Sequence, residues 1–367
     1  MSLLKSIIKK SGVVDLYRRN PYVRELNIWR SEQRRFYAEA VRRFREERPE
    51  HGSLTDYKEA LRKHRVTYSE YMFSYEYWHL SEEERDKFIS TSEMQCIYRK
   101  LGDKQVREVF HDKVQFLKDF HRFVHRKWAR ARDLTPESLR RMVESQDCIA
   151  KPIDGTRGDG IFKIRRDEVT DWEGLYRKCY DENLLIEECI RACDELSDLH
   201  PASLNTIRVV TISHNGRFRV FGALLRMGAH GSIIDNTHAG GVYAPINVET
   251  GTIDIPAIDG QNRHYEFHPD THKPIKGFRI PHWDLILQTC KEASQTIPNI
   301  RFAGWDLCIN SDGKVEIIEG NHAPDFDGGM QAPLKIGVKR KLADAVRDVM
   351  GVDPLKYISV WSKPKAF

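Results

Sequence analysis

The chain has 367 residues, enough for two or three domains around a sizeable core. Apolar residues make up 40%, charged residues 31% and the net charge is +5, a globular balance with no apolar run near the roughly 18 residues that span a bilayer. Seven cysteines (Cys96, Cys148, Cys179, Cys189, Cys193, Cys290 and Cys308) are odd in number, scattered and without a C-x-x-C pair, which argues against a disulfide framework or a zinc site and for a reducing compartment.

Met1 to Lys10 is too short and interrupted for a secretory signal and reads as a small amphipathic helix. The expected location is cytoplasmic without stable membrane insertion, a peripheral place at the inner membrane face being the alternative. Residues 1 to about 105 read as helical. Ser31 to Arg48 carries Phe36, Ala40 and Phe44 at a spacing of four, one apolar stripe. Its arginines, Arg34, Arg35, Arg42, Arg43, Arg45 and Arg48, are interleaved with Glu32, Glu39, Glu46 and Glu47, which reads as a solvated face of i,i+4 pairs rather than a nucleic-acid surface. Ser81-Glu-Glu-Glu84 has the form of a helix start with an acidic first turn.

Asp112 to Trp128 is a further helix candidate. From residue 148 the pattern predicts strands: Cys148 to Pro152, Gly160 to Arg165, Leu184 to Cys189, Thr206 to Ile212 and Arg219 to Arg226, the last two joined by a hairpin at Asn215-Gly216. Pro281 to Ile297 reads as an amphipathic helix, and Lys335 to Met350 as a closing one stopped by Gly351.

Lys151-Pro-Ile-Asp-Gly155-Thr-Arg-Gly158-Asp-Gly160 lies between two predicted strands. It is neither a P-loop nor a dinucleotide fingerprint, because no Gly-Lys-Ser/Thr closes it and a strand follows. A glycine-rich turn so placed is a flap whose N–H groups can fold over phosphates, with Lys151 as a fixed charge beside it. Leu184-Leu-Ile-Glu187-Glu188-Cys189-Ile190 is an apolar strand running into acids. Glu187, Glu188 and the backbone at Cys189 and Ile190 suit an adenine, and Asp194 or Glu195 its ribose. Arg208, in Asn205-Thr-Ile-Arg208, stands in an apolar strand and needs an anionic partner, whereas Asn205 is on the opposite parity or at the strand mouth. The loop Ile234-Asp235-Asn236-Thr-His238-Ala-Gly240-Gly241 is dense in polar groups and glycine, a place for an acceptor or for phosphate through Asn236, His238, Gly240 and Gly241.

Gly304-Trp-Asp306 to Glu319-Gly-Asn321 forms the most specific pattern. A two-residue turn at Asp312-Gly313 pairs Ser311 with Lys314 and sets Asp306 opposite Glu319, with Asn321 on the same face and Cys308, Val315 and Ile317 between. Opposed carboxylates in partly apolar surroundings call for a cation, and Mg²⁺ takes a few such oxygens together with substrate phosphates.

A lysine in a helix, Lys-Pro before a glycine flap, an acidic hinge, N-T-I-R, G-W-D and E-G-N, in this order over about residues 106 to 350, resemble the ATP-grasp superfamily, and within it the sugar-transfer-associated group. The resemblance implies an α+β ATP-grasp fold, two subdomains (106–200 and 201–351) clasping ATP, with an N-terminal mostly helical domain (1–105) and a tail (352–367). That helical region departs from the α/β domain of many relatives. It implies that Lys113 and Lys151 face phosphate, that Glu187 is the adenine hinge acid and Arg208 the triphosphate or acyl-phosphate arginine, and that Asp306, Glu319 and Asn321 hold Mg²⁺, with Mn²⁺ as a substitute. The implied activity is ligation of a small carboxylate to an amine through an acyl phosphate, with a sugar acid and an amino acid as candidates, in polysaccharide or sugar-conjugate synthesis. The alternatives are a phosphotransferase acting on a hydroxyl or amide, and a non-catalytic nucleotide-binding module.

Overall fold

The computed structural model describes residues 21–153, 160–235, 240–325 and 330–359. Met1 to Lys10, Gly155, Gly158, Asn236 and His238 lie outside the described residues. Among those described, no helix is long and apolar enough to cross a membrane, and all seven cysteines are free.

The N-terminal part is helical. Helix Pro21–Glu47 buries Phe36 and Ala40 against Tyr57, Leu61, Tyr68 and Tyr71, as the four-residue stripe requires. On its outer side Arg43 pairs with Glu47 at 2.6 Å, and Arg42 pairs with Glu46. Ser81 and Glu84 close a capping box, and Ser90 with Glu93 a second that starts helix Thr91–Leu101. Met94 and Ile97 of that helix pack with Leu342 and Val346 of helix Lys339–Met350 in one core. The closing helix starts at Lys339 rather than Lys335, because Lys335 adopts φ +52° and turns its Nζ to Phe73 O at 2.9 Å.

Eleven strands follow among the described residues: β1 Trp128–Arg130, β2 Cys148–Pro152, β3 Phe162–Ile164, β4 Leu184–Glu188, β5 Ile207–His214, β6 Arg217–Met227, β7 Val242–Ile246, β8 Ala257–Ile258, β9 His264–Tyr265, β10 Phe302–Ile309 and β11 Val315–Asn321. They make two antiparallel sheets, β1-β4-β2-β3 and β11-β10-β5-β6-β7-β8-β9. The β5–β6 hairpin turns at Asn215 and Gly216, both at positive φ, as Asn-Gly predicts.

Asp112 to Trp128 is not one helix. Asp112 caps a short helix, Lys113–Asp119, which ends at Phe120. The chain then turns to bury Phe120 and Phe123, and the N–H groups of His125 and Arg126 are drawn to Glu316 instead of continuing the helix.

The two faces of the larger sheet differ, and the difference makes the site. On one face Ile207, Val209, Leu225, Trp305, Leu307 and Ile309 form the main core under helix Trp283–Ala293 and the rings of Phe110, Phe116 and Phe120. Trp305 is fully buried and its Nε1 donates to Thr211 Oγ1 at 3.0 Å. On the other face Val210, Ile212 and Phe302 pack under helix Lys339–Met350. Further along this same face, by strand alternation, stand Arg208, Arg226 and Asp306.

Candidate functional site

Asp306 is opposite Glu319, with Gly304 opposite Asn321, but the route differs from the two-residue turn the sequence suggests. Near the turn the register is Ile309↔Val315 and Cys308↔Glu316, one residue off the expected pairing. A bulge between Leu307 and Asp306 restores it, with Ile318 as the extra residue. Val315 and Ile317 therefore face the main core, and Glu316 takes the place expected for an apolar neighbour. The glycines follow from this geometry. A Cβ at Gly320 would strike Phe116 at 2.7 Å, and one at Gly304 would press on Pro324 at 2.8 Å and on Arg208 at 3.2 Å.

Arg208 and Asp306 are buried and pair through two parallel bonds, Nη2 to Oδ2 at 2.6 Å and Nε to Oδ1. Arg226, whose side chain is one-quarter exposed, adds Nη1 at 3.2 Å to Oδ2. Burial alone would raise the Asp306 pKa, but Arg208 and Arg226 outweigh it and hold the carboxyl far below the usual range. The Glu319 side chain is exposed beside the buried Asp306. Desolvation and the neighbouring Asp306 raise its pKa, and Arg208 and Lys151 oppose the rise. Asn321 Oδ1 accepts from Ala323 N at 3.0 Å, one of its two lone-pair directions.

Among the described residues no three His, Cys, Asp or Glu side chains form a ready metal cage. Two opposed carboxylates and an amide oxygen are an incomplete set, which fits Mg²⁺ completing its shell with phosphate oxygens and water.

From the smaller sheet, β2 presents Lys151, which pairs with Glu187 on β4. Glu187 is also held by Arg126 Nη2 at 3.0 Å. Against burial, which raises it, Arg126 and Lys151 keep its pKa below the usual carboxylate value. Glu187, expected as the adenine hinge acid, is thus engaged by two cations and serves as the counter-charge of Lys151. Glu188 accepts from Lys127 N at 2.9 Å, and the N–H groups of Glu188 and Cys189 already donate to Lys127 O and Asp147 O, so neither is free for a ring nitrogen. Ile190 is half-buried, and Asp194 and Glu195 lie at the start of a six-residue helix. Lys113 Nζ donates to Pro152 O at 2.9 Å and Ile153 O at 3.0 Å, which ties it to the base of the flap. Gly160, at the flap's far end, has φ +75°. Asn205 is fully buried and bonds Leu196 O at 2.7 Å and His200 O at 3.1 Å, a structural rather than a ligand-facing part of N-T-I-R.

Three participants are not singled out by the sequence reading: Arg126, Arg226 and Asp235. Asp235 accepts from Thr206 N at 3.0 Å and from its hydroxyl. Gly241 seats it, since a Cβ there would meet Asp235 O and Met227 O at 2.8 Å. Gly240 is exposed at φ +88°. Burial pushes the Asp235 pKa to about 6, with Thr206 and Arg226 lowering it and Asp306 raising it. A folded pKa above the unfolded one means the native state keeps its proton longer, so stability falls as pH rises through the interval from about 4 to about 6. Asp235→Asn is accordingly expected to raise the melting temperature at pH 7.5 and leave it nearly unchanged at pH 4. A variant that melts lower at pH 7.5 would contradict this account of Asp235.

Residues 83–344 match the family described as sugar-transfer associated ATP-grasp. No curated protein matches the chain. Among solved structures the chain is similar to the ATP-grasp ligase PsnB complexed with minimal precursor, Mg and ADP, at 16% identity over 69% of this chain and 62% of that one, with a TM-score of 0.43. It is also similar to an L-amino acid ligase from Bacillus licheniformis, at 12% identity over 70% and 48% with a TM-score of 0.38. A third is D-alanyl-alanine synthetase A from Vibrio cholerae, at 10% identity over 69% and 64% with a TM-score of 0.37. The chain thus spans about three-fifths of the length of the first of these.

Proposed function

The chain belongs to the sugar-transfer associated ATP-grasp family, and from that premise we propose that it is a Mg-ATP-dependent ligase that joins a carboxylate to an amine through an acyl phosphate. The observation that carries this reading is that Asp306, paired with Arg208, stands opposite Glu319 on the larger sheet, with the charge of Lys151 on the smaller sheet reaching Glu319. Mg²⁺ bound by Asp306, Glu319 and Asn321 would supply charge neutralisation at the β- and γ-phosphates. Lys151 takes the phosphates from the smaller sheet, and Arg208 holds Asp306 in place with both oxygens oriented. Positioning and charge stabilisation are what phosphoryl transfer demands of a protein.

An acceptor carboxylate oxygen attacks the γ-phosphorus, and ADP leaves. The amine nitrogen then attacks the acyl carbon, phosphate departs and the nitrogen loses a proton. Arg226, partly exposed beside Asp306, is the cation for the acceptor carboxylate. Asp235, with a pKa of about 6 and within electrostatic reach of Arg226 and Asp306, takes the proton. A sugar acid and an amino acid are the proposed acceptor pair.

Uronic acids and amino acids, supplied singly and in pairs with Mg-ATP, test the reading by ADP release. Rapid release with one carboxylate–amine pair, and an amide in the product, is expected. Full release with a single hydroxyl acceptor and a phosphate ester as product would replace the ligase with a kinase.

A further inference from the structure

Arg126 lies between the two sheets and outside every motif, its side chain 3% exposed. Nη1 donates to Glu316 Oε1 at 2.9 Å and to Ile317 O at 3.0 Å. Nη2 donates to Glu187 Oε1 at 3.0 Å and to Ile318 O at 3.1 Å. Ile317 and Ile318 are the residues of the bulge that turns Glu319 toward Asp306. Glu187, on the other side, is the counter-charge of Lys151. One guanidinium therefore touches both the residues that seat Glu319 and the partner of Lys151.

We propose that Arg126 is a positioning residue that sets the register of Glu319 and the reach of Lys151 together, so that the metal-holding and phosphate-holding halves of the site are assembled by one side chain. The inference rests on the nucleotide-site reading above. Only a planar fork with several donors can bond two carboxylates and two carbonyls at once; an ammonium donates from a single point. The charges make the coupling explicit. Arg126 and Lys151 face Glu187 and Glu316, two cations against two anions. Glu316 keeps backbone donors from His125 at 3.2 Å and Arg126 at 3.0 Å whatever side chain stands at 126. Glu187 does not share that support. Without the guanidinium, Lys151 becomes its sole counter-charge and is held back from any phosphate. An inert cross-brace between sheets would have no such dependence on Glu187.

The test is binding of a fluorescent ATP analogue with Mg²⁺ to wild type, Arg126→Lys, Arg126→Met and the double variant Arg126→Met/Glu187→Gln, each with its melting temperature. Arg126→Met is expected to weaken binding by about 10–100-fold, the usual effect of losing a group that orients site residues. Arg126→Lys should lose a similar factor while melting near the wild type, and carries the decision if the methionine variant does not fold. Glu187→Gln added to Arg126→Met frees Lys151 and should recover most of the loss. Wild-type affinity in Arg126→Lys, or a folded double variant binding no better than Arg126→Met, overturns the inference. A wild type that binds no nucleotide overturns the nucleotide-site reading itself.

Discussion

Asp306→Asn is expected to lower ATP turnover by about 10²–10³-fold, the scale of losing one preorganised charge at a reacting phosphoryl group. It should also destabilise the protein, and the two effects have separate causes. Asp306 neutralises Arg208, whose side chain is 7% exposed, and part of Arg226. Breaking a buried pair from one side leaves an uncompensated charge, at a cost of about 3–5 kcal/mol. Removing both partners is a different matter, because apolar residues of similar volume often replace a buried pair without loss. Arg208→Met/Asp306→Leu is therefore expected to melt close to wild type and still turn over no ATP. If the double variant recovered both stability and turnover, Asp306 would be a packing residue alone.

Lys151→Met is the second large effect, and it falls on binding. Lys151 is buried with Glu187 and its charge reaches Glu319. A bond from a charged donor is worth about 1.5–3 kcal/mol, so nucleotide affinity should fall by about 10–100-fold. Folding should suffer less than in Asp306→Asn, because Arg126 remains to neutralise Glu187. Equilibrium binding of a non-hydrolysable analogue, alongside thermal melting, separates the two. Unchanged affinity in a well-folded variant would remove Lys151 from the phosphate site.

The legible parts of this molecule are those where spacing alone carries the physics. The stripe of Phe36 and Ala40, the Asn215-Gly216 turn and the helix start at Ser81 each follow from local rules and appear as expected. The opposition of Asp306 and Glu319 was legible for a less sound reason. The turn is one register step away from a two-residue loop, and the bulge at Ile318 cancels the error. A bulge held by a distant arginine leaves no mark in the hairpin's own sequence, and local spacing alone puts the buried Glu316 on the other face. Arg126 was hidden in a presumed helix, and Arg226 in a presumed strand end. Both acquire meaning only when β11, β4 and β10 are brought together. Glu187 shows the converse: its place in an acidic hinge was plain, but its engagement by Arg126 and Lys151 is a tertiary fact.

The central claim is that Asp306 and Glu319 hold a divalent cation together with a nucleoside triphosphate. Calorimetric titration of a non-hydrolysable ATP analogue at graded free Mg²⁺, for wild type and Glu319→Gln, tests it most directly. Wild-type affinity should rise steeply with Mg²⁺, and that dependence should be largely lost in Glu319→Gln. Equal affinity in Mg²⁺ and in chelator, or a Glu319→Gln curve superimposed on that of wild type, would contradict the claim.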